Sequence, residues 1–539
     1  MSLEGGKGID IPVLIVGAGP VGLGLAIDLG WRGVPCLVVE QGEGTFVFPR
    51  ANAVNVRTME ICRRWGIAAE VRGVAISPNF PHTALYVTSL AGHEIGRVER
   101  AAHGGNQPSA FSPERPQRCN QMFFDPILRR RAESLPNVEI RNHTRFESLK
   151  QESDRVTATV SDTTTGNTHE ISARHLVACC GGASTVRSKL GIRLEGLPEA
   201  GTPANIFFST EALWERHAKG MAALHFLIGP NGRWATLISV DGRDLWSLSV
   251  DIPDRKGEIS DTEARAYVDR ALGMKVDYQI RSISYWVRRE MVADRYGEER
   301  VLIAGDCAHL NGPEGGYGMN TGMGDAIDLG WKLAAVRHGW AGPGLIASYE
   351  TERRPIALRN VSEATRNLRA HEFDYPDILA DTPEGAAQRI ECGARIAEDA
   401  QRRHGHDGLA LGFRYASPLI PLSGEGDPPS DDTSKYVPST FPGCRAPHQW
   451  IAPDRSIIDL FGSGFTLLRL GVNPPDADDL LAAAKTRGVP VKSVDVEDLA
   501  IREAYERDLV LVRPDGYVAW RGNRPPGDAY ALIDAIRGA

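Results

Sequence analysis

Cysteine is scarce in this chain, eight among 539 residues, and no two are spaced as Cys-x-x-Cys. That excludes a disulfide scaffold and disfavours a zinc ribbon or a dithiol redox centre, so a reducing compartment, the cytoplasm, is the expected setting. Long apolar runs are missing too. The most apolar stretch, 11–27, contains four glycines and two prolines and follows Glu4, Lys7 and Asp10, which suits neither a membrane span nor a signal peptide. Nor is there a cationic excess: Lys+Arg 61 against Asp+Glu 69 leaves a net charge of -8, with no overall field for a nucleic acid. No His, Glu and Asp cluster has metal-ligand spacing and no Gly-x-Ser-x-Gly elbow occurs, so neither a metal centre nor a serine hydrolase is expected. What remains is an ordinary globular composition, 42% hydrophobic and 24% charged. At roughly 150 residues per domain the length suggests about three or four domains. Residues 1–8 are set aside as a leader.

Pro12 to Val16 is a short run with β-branched residues, followed by Gly17-Ala-Gly19-Pro20-Val21-Gly22 and then by Leu23 to Leu29, apolar at helical spacing. The order reads as strand, glycine turn, helix. Gly17 permits the tight turn, Gly19 lets a pyrophosphate approach the backbone, and Gly22 lets helix pack on strand; the helix start then binds the anion. Pro35 to Val39 adds a second buried strand ending in Glu40 and Gln41, about twenty residues beyond the turn, where a carboxylate accepts ribose hydroxyls. A structural turn and a surface acid are the bland reading, disfavoured by the ordered series of features. An acid at 40 disfavours a 2′-phosphate, yet NAD and FAD both remain open. Only one such glycine signature occurs, so no second dinucleotide domain is expected.

Arg300 to Ala304 reads as another strand and runs into Gly305-Asp306-Cys307-Ala308-His309, then Pro313-Glu314-Gly-Gly316-Tyr-Gly318-Met319-Asn320 ahead of a helix. Here the sequence resembles the class A flavoprotein aromatic hydroxylases, along nearly its whole length. It is most similar to the branch of phenol, chlorophenol and anthracycline hydroxylases and the rebeccamycin indolocarbazole flavoenzyme. The resemblance implies FAD as cofactor, with Asp306 on the ribitol, Gly316 to Asn320 (Gly318 and Met319 among them) beside N1 and C2=O of the isoalloxazine, and Pro313 among the cofactor-binding residues. Free N–H groups at a helix start suit the negative charge that reduction leaves near N1. It also implies flavin contacts for Arg50, in Pro49-Arg50-Ala-Asn, and Gln121, in Cys119-Asn-Gln-Met. In one departure, Cys180-Gly181 stands where the family has Asp-Gly, and a thiol makes only weakly the hydrogen bonds of a carboxylate. Cys180 reads either as a reactive thiol or as a small buried hydrophobe.

Between 192 and 285 the apolar pattern alternates, with two strands joined at Asp241-Gly-Arg; Trp246, Leu248 and Val250 share one face, Ser247 and Ser249 the other. The resemblance lays this sheet over the flavin and makes Ile238, Ser247, Ser249 and Trp286 pocket candidates; His225, in an apolar strand, is added as a residue able to deprotonate a phenol. A core histidine and a solvent-facing serine pair are the competing readings, and no catalytic base is assigned. Pro355 is expected to end or kink a helix. The tail resembles a thioredoxin-like domain without a redox cysteine pair.

The expected fold class is therefore α/β: a Gly-x-Gly-x-x-Gly, Rossmann-like FAD-binding domain with an inserted, mainly β substrate domain and a thioredoxin-like C-terminal domain. The boundaries read as 9–190 (with substrate-side elements within 76–115) and 289–417 for the FAD-binding parts, 191–288 for the insert, 418–442 for a linker and 443–539 for the tail. The resemblance implies a monooxygenase using FAD, with NADPH or NADH as transient reductant. Through a flavin C4a-hydroperoxide it would insert oxygen from O₂ into a phenolic or polycyclic aromatic substrate. Two alternatives stay open: a flavin oxygenase or oxidase tailoring a polycyclic secondary metabolite without a phenol base, and a flavoprotein that sequesters a metabolite without turnover. Expected partners are small molecules, with no nucleic acid or membrane, in a monomer or homodimer.

Overall fold

A strand as apolar as Ile11–Val16 has to lie inside a sheet. Asp10–Val16 pairs in parallel with Cys36–Val39 on one side and Thr168–Ala178 on the other. The computed structural model describes residues 10–44, 48–99, 109–252, 257–370, 372, 374–402 and 407–539. Parallel pairing extends the sheet to Val138–Arg141 at one edge and Val301–Ile303 at the other. Three antiparallel strands complete its eight: Gly297–Glu298, Thr144–Gln151 and Val156–Asp162. Helices Pro20–Trp31 and Tyr317–His338 bury against this sheet in one hydrophobic core with Met59, Cys62 and Phe124. The strands thus deliver their carboxyl ends to a common edge, where open α/β sheets bind ligands.

Strands Leu194–Gly201 and Arg288–Ala293 pair antiparallel and carry the chain into and out of a second sheet. That sheet has seven strands, in the order Gln279–Tyr285, Ala204–Ser209, Leu245–Val250, Gly232–Ser239, Leu224–Gly229, Ala84–Val87 and Glu94–Val98. One face buries Trp246, Leu248 and Val250 with Ala264 and Val268 of helix Asp261–Leu272. Part of the opposite face, around Tyr86 and Phe226, is covered by Cys392 and Ile396 of helix Pro383–Arg402.

The last sheet runs Val491–Val496, Phe465–Leu470, Leu509–Val512, Val518–Gly522. It shares a core with Trp331 and Ala335 of helix Tyr317–His338, so the tail is docked on the back of the first unit. The proline-rich stretch 418–442 has neither helix nor strand, yet Leu419 and Ile420 lie in that same core. Pro355 does not end its helix, one of the two outcomes expected of it. Helix Ser348–Arg369 runs through it without a break, because buried Glu352, Arg353, Ile356 and Ala357 anchor the turns around it. Among the described residues, no helix is long and apolar enough to cross a membrane.

A second anchor of the tail is titratable. Buried Arg445 donates Nε to Glu60 Oε2 at 3.0 Å, and Arg57 donates Nη1 to the same oxygen at 2.8 Å. Burial raises the Glu60 carboxyl, but the two guanidiniums outweigh it and hold it at about 2, below its ordinary 4.5. A depressed carboxylate contributes stability fully above its unfolded value and loses it as pH falls through the folded one. Acidification from 4.5 towards 2 is therefore expected to remove on the order of 3 kcal/mol. Glu60→Gln is expected to flatten that limb of a urea-stability-against-pH curve; an unchanged slope would refute the assignment.

Candidate functional site

The carboxyl ends of four parallel strands present, side by side, the glycine turn, Glu40, Cys179 with Cys180, and Asp306. A methyl on Gly22 would lie 2.0 Å from the Gly17 carbonyl oxygen, so only glycine lets the helix close on the turn; one on Gly19 would meet nothing within 4 Å. Gly19 thus faces open space. Helix Pro20–Trp31 begins there with no side-chain cap and no acid in its first turn, and Pro20 supplies a preset N-terminal φ. Gly316, at φ 69°, begins Tyr317–His338 equally uncapped and without an acid. Elsewhere Asn55, Asn120, Ser260 and Asp498 cap their helices. The two bare starts converge: a methyl on Gly322 would fall 2.5 Å from Val21 Cγ2 and 3.0 Å from Gly305 Cα.

Asp306 sits in the wall between them, exposed although its neighbours Gly305 and Cys307 are buried, so its carboxylate opens into the cleft. Its confined surroundings push its carboxyl above the ordinary range, against the pull of His309 and Arg50. Arg50 is the common cation of Asp306 and Asp125, and desolvation lowers its own value. Gln121 donates Nε2 to Asp125 at 2.9 Å, while its backbone N–H donates to Ala51 at 2.7 Å. Burial raises Asp125 to about 7 against Gln121 and Arg50, and its Oδ1 has no protein partner. Arg50, Gln121 and Asp306 are thereby brought to one place.

The remaining cofactor candidates divide by what their side chains already do. Glu40 accepts from Ala18 N–H at 2.9 Å and Gly42 N–H at 3.0 Å, one on each oxygen, which leaves a lone pair on each for a hydroxyl. Gln41 is exposed beside it. The Pro313 carbonyl accepts from Gly316 N–H at 3.1 Å and closes the loop. Gly318 lies near Asp306, whose Oδ1 would be 4.0 Å from an added methyl, and Met319 packs against the main core. Asn320 is fully engaged by the fold. Its Oδ1 accepts from Asn55 N–H and the Thr58 hydroxyl, and its Nδ2 donates to Ala53 and Gly316. Only its backbone can serve a ligand.

These groups suit FAD: open N–H groups for a pyrophosphate, carboxylates for ribose and ribityl hydroxyls, and a second bare helix start for an electron-rich ring edge.

On the second sheet, Ile238 opposes Ser247, which opposes Phe207, and Ser249 opposes Thr236 and Asn205. Ile238, Ser247 and Ser249 therefore share the face opposite Trp246. Trp286 follows the edge strand, with Arg288 5.7 Å over its ring and its Nε1 buried without a protein partner. His225 is a correction to the pocket set. It opposes Leu237 on the apolar face, wholly buried, with ring centroids 5.9 Å from Trp214 and 6.0 Å from Trp246. Burial lowers its imidazole to about 3, so it stays neutral and faces away from the other candidates. Its strand is apolar on both faces, which hides the parity in the sequence.

Sequence reasoning missed the group that ties this sheet to the loop. Arg233 Nη2 donates to Glu314 Oε1 at 2.9 Å, and Arg288 Nη2 donates to Asp251 Oδ1 at 3.1 Å and lies 3.6 Å from Glu314 Oε1. The Glu in Pro313-Glu-Gly-Gly was the available signal. Among the described residues, no His, Cys, Asp and Glu group has the geometry of a metal site.

Comparison with known proteins agrees in extent. Residues 10–364 match the FAD binding domain family and residues 439–538 the aromatic-ring hydroxylase C-terminal family. The FAD-dependent monooxygenase apdD of Emericella nidulans is 31% identical, over 95% of this chain and 87% of its own length. The 4-methyl-5-nitrocatechol 5-monooxygenase of a Burkholderia species is 32% identical, over 99% of this chain and 98% of its own. The structure of the rebeccamycin biosynthetic enzyme RebC with reduced flavin superposes with a TM-score of 0.90 at 37% identity, covering 99% of this chain and 100% of that one.

Proposed function

This chain belongs to the FAD-dependent aromatic-ring hydroxylases, and on that premise we propose that it inserts one oxygen atom of O₂ into a phenolic or polycyclic aromatic substrate, with NADPH or NADH as electron donor. The observation that carries the reading is the convergence of two uncapped helix starts on the exposed Asp306. FAD, once bound and reduced, supplies the oxygen chemistry. The chain's own residues supply placement. The helix start at Gly19 would hold the pyrophosphate, Glu40 the ribose and Asp306 the ribitol. The N–H groups after Gly316 would stabilise negative charge at the pyrimidine edge, with Arg50 and Gln121 alongside.

Ile238, Ser247, Ser249 and Trp286 form the substrate side. The Arg233–Glu314 and Arg288–Asp251 contacts fix the spacing between that face and the flavin loop, which keeps the reacting ring close and water out. We read the four-stranded C-terminal unit as thioredoxin-like and as a scaffold, since it has no cysteine pair.

The test is direct. FAD-reconstituted protein is screened against phenols and polycyclic aromatics. The expected result is faster NADPH or NADH oxidation with one of them and a product heavier by one oxygen atom. Failure to retain FAD, or no compound raising the rate above background, would overturn the proposal. A second reading, oxygenation of a polycyclic metabolite without phenol deprotonation, is favoured by His225 facing away from the candidate pocket. It predicts a rate that does not follow ionisation of a phenol.

A further inference from the structure

Two sulfur atoms meet beside the cofactor cleft. Cys180 follows the strand Thr168–Ala178 and Cys307 follows its parallel neighbour Val301–Ile303, with Ala178 in register with Ile303. Adjacent parallel strands carry both cysteines to the same edge of the sheet, and their Sγ atoms lie 3.8 Å apart across 127 residues of sequence. The surroundings hold them there. Ser184 Oγ is 3.1 Å from Cys180 Sγ, and the Gly181 carbonyl oxygen is 3.4 Å from Cys307 Sγ. Arg187 donates to the Cys307 carbonyl at 3.2 Å and the Gly182 carbonyl at 2.7 Å, clamping both loops under one positive charge. Cys180 is the exposed member of the eight cysteines, Cys179 is partly buried, and the others, Cys307 included, are buried.

We propose that Cys180 and Cys307 form a peroxide-sensitive dithiol, with Cys180 as the attacking sulfur and Cys307 as the resolving one. Hydrogen peroxide is the oxidant. The Cys180 thiolate attacks one peroxide oxygen and breaks the O–O bond, giving a sulfenic acid and hydroxide, which takes up the proton Cys180 released and leaves as water. Cys307 Sγ then attacks Cys180 Sγ; the S–S bond forms, the S–O bond breaks, and the departing hydroxide leaves as water with the Cys307 proton. Two thiols lose two electrons, and one peroxide becomes two waters. From the observed separation, reaching a bond length of about 2.05 Å takes less than ~2 Å of movement.

The division of roles follows from the environment. The Cys307 thiol, within hydrogen-bonding reach of Cys180, is the largest influence holding Cys180 below the ordinary thiol range, while burial pushes Cys307 well above it. Cys180 is thus the more readily ionised and the more accessible sulfur of the pair, which selects it as the one that meets peroxide. Cys179 is no competitor, because burial also raises its thiol well above that range.

The experiment uses the FAD-loaded enzyme, treated with a few equivalents of hydrogen peroxide, alkylated with iodoacetamide, digested and mapped by mass spectrometry. The expected result is a Cys180–Cys307 linked peptide within one chain and loss of two thiols, both restored by dithiothreitol. In Cys307→Ser, dimedone is expected to trap a sulfenic acid at Cys180 with no disulfide formed; in Cys180→Ser, Cys307 stays reduced at the same dose. Recovery of both wild-type cysteines as alkylated thiols, or linkage of Cys180 to a different cysteine, overturns the proposal. The readout is covalent and is obtained whether or not an aromatic substrate is ever found, so its failure is distinct from failure of the hydroxylase reading.

Discussion

Gly22→Ala is expected to lower FAD affinity by at least about 100-fold, or ~2.7 kcal/mol. The added methyl would sit 2.0 Å from the Gly17 carbonyl oxygen and 3.2 Å from Cys179 Cβ, and neither neighbour is the free end of a flexible side chain. The helix start must move off the turn, and the N–H groups that receive the pyrophosphate move with it. Gly19→Ala separates this from a generic loss of stability. Its methyl meets no protein atom within 4 Å, so the apoprotein should unfold at an unchanged urea midpoint while FAD affinity still falls, because the space is needed by the ligand. Titration of FAD into the two apoproteins, followed by fluorescence quenching, checks both. An affinity within about threefold of wild type for Gly22→Ala would mean that the cofactor lies elsewhere.

The turn and the segment around Asp306 were legible because their information is local. A glycine turn between an apolar strand and a helix, an acid after the next strand, and a glycine-rich helix start are each written in consecutive residues. The alternation of Trp246, Leu248 and Val250 with Ser247 and Ser249 was legible for the same reason, since one face is polar. His225 was not, because Leu224–Gly229 is apolar on both faces and carries no parity signal. Pro355 does not end its helix because tertiary anchoring by Glu352 and Arg353 holds the turns on either side of it. Nothing local announces that Arg233 meets Glu314 across 81 residues, or that Cys180 meets Cys307 across 127. Such partners are set by which strands become neighbours.

The same long-range pairing makes Arg513→Met the variant with the largest expected effect on stability. Arg513 is buried, donating Nη1 to Glu352 Oε1 at 2.7 Å and Nη2 to Glu352 Oε2 at 2.8 Å, to Asp515 at 2.7 Å and to Asp328 at 3.3 Å. Lys332 donates to Asp328 at 2.7 Å and Glu352 at 2.8 Å. Two cations thus face three carboxylates. Burial, with Glu352 beside it, pushes the Asp328 carboxyl above its ordinary range against the pull of Lys332 and Arg513. Removing Arg513 leaves Asp328, Glu352 and Asp515 buried with Lys332 alone, and breaking one partner of such a group costs about 3–5 kcal/mol. Glu352 and Lys332 belong to the FAD-binding unit and Arg513 to the tail, so limited proteolysis should begin cutting between 418 and 442 in the variant. If uncompensated charge is the cause, Arg513→Met combined with Glu352→Met should recover part of the loss in urea titrations. A double variant no more stable than Arg513→Met would instead locate the loss in the shape of the guanidinium, which also stacks 5.2 Å over Trp331 and 5.0 Å over Tyr415.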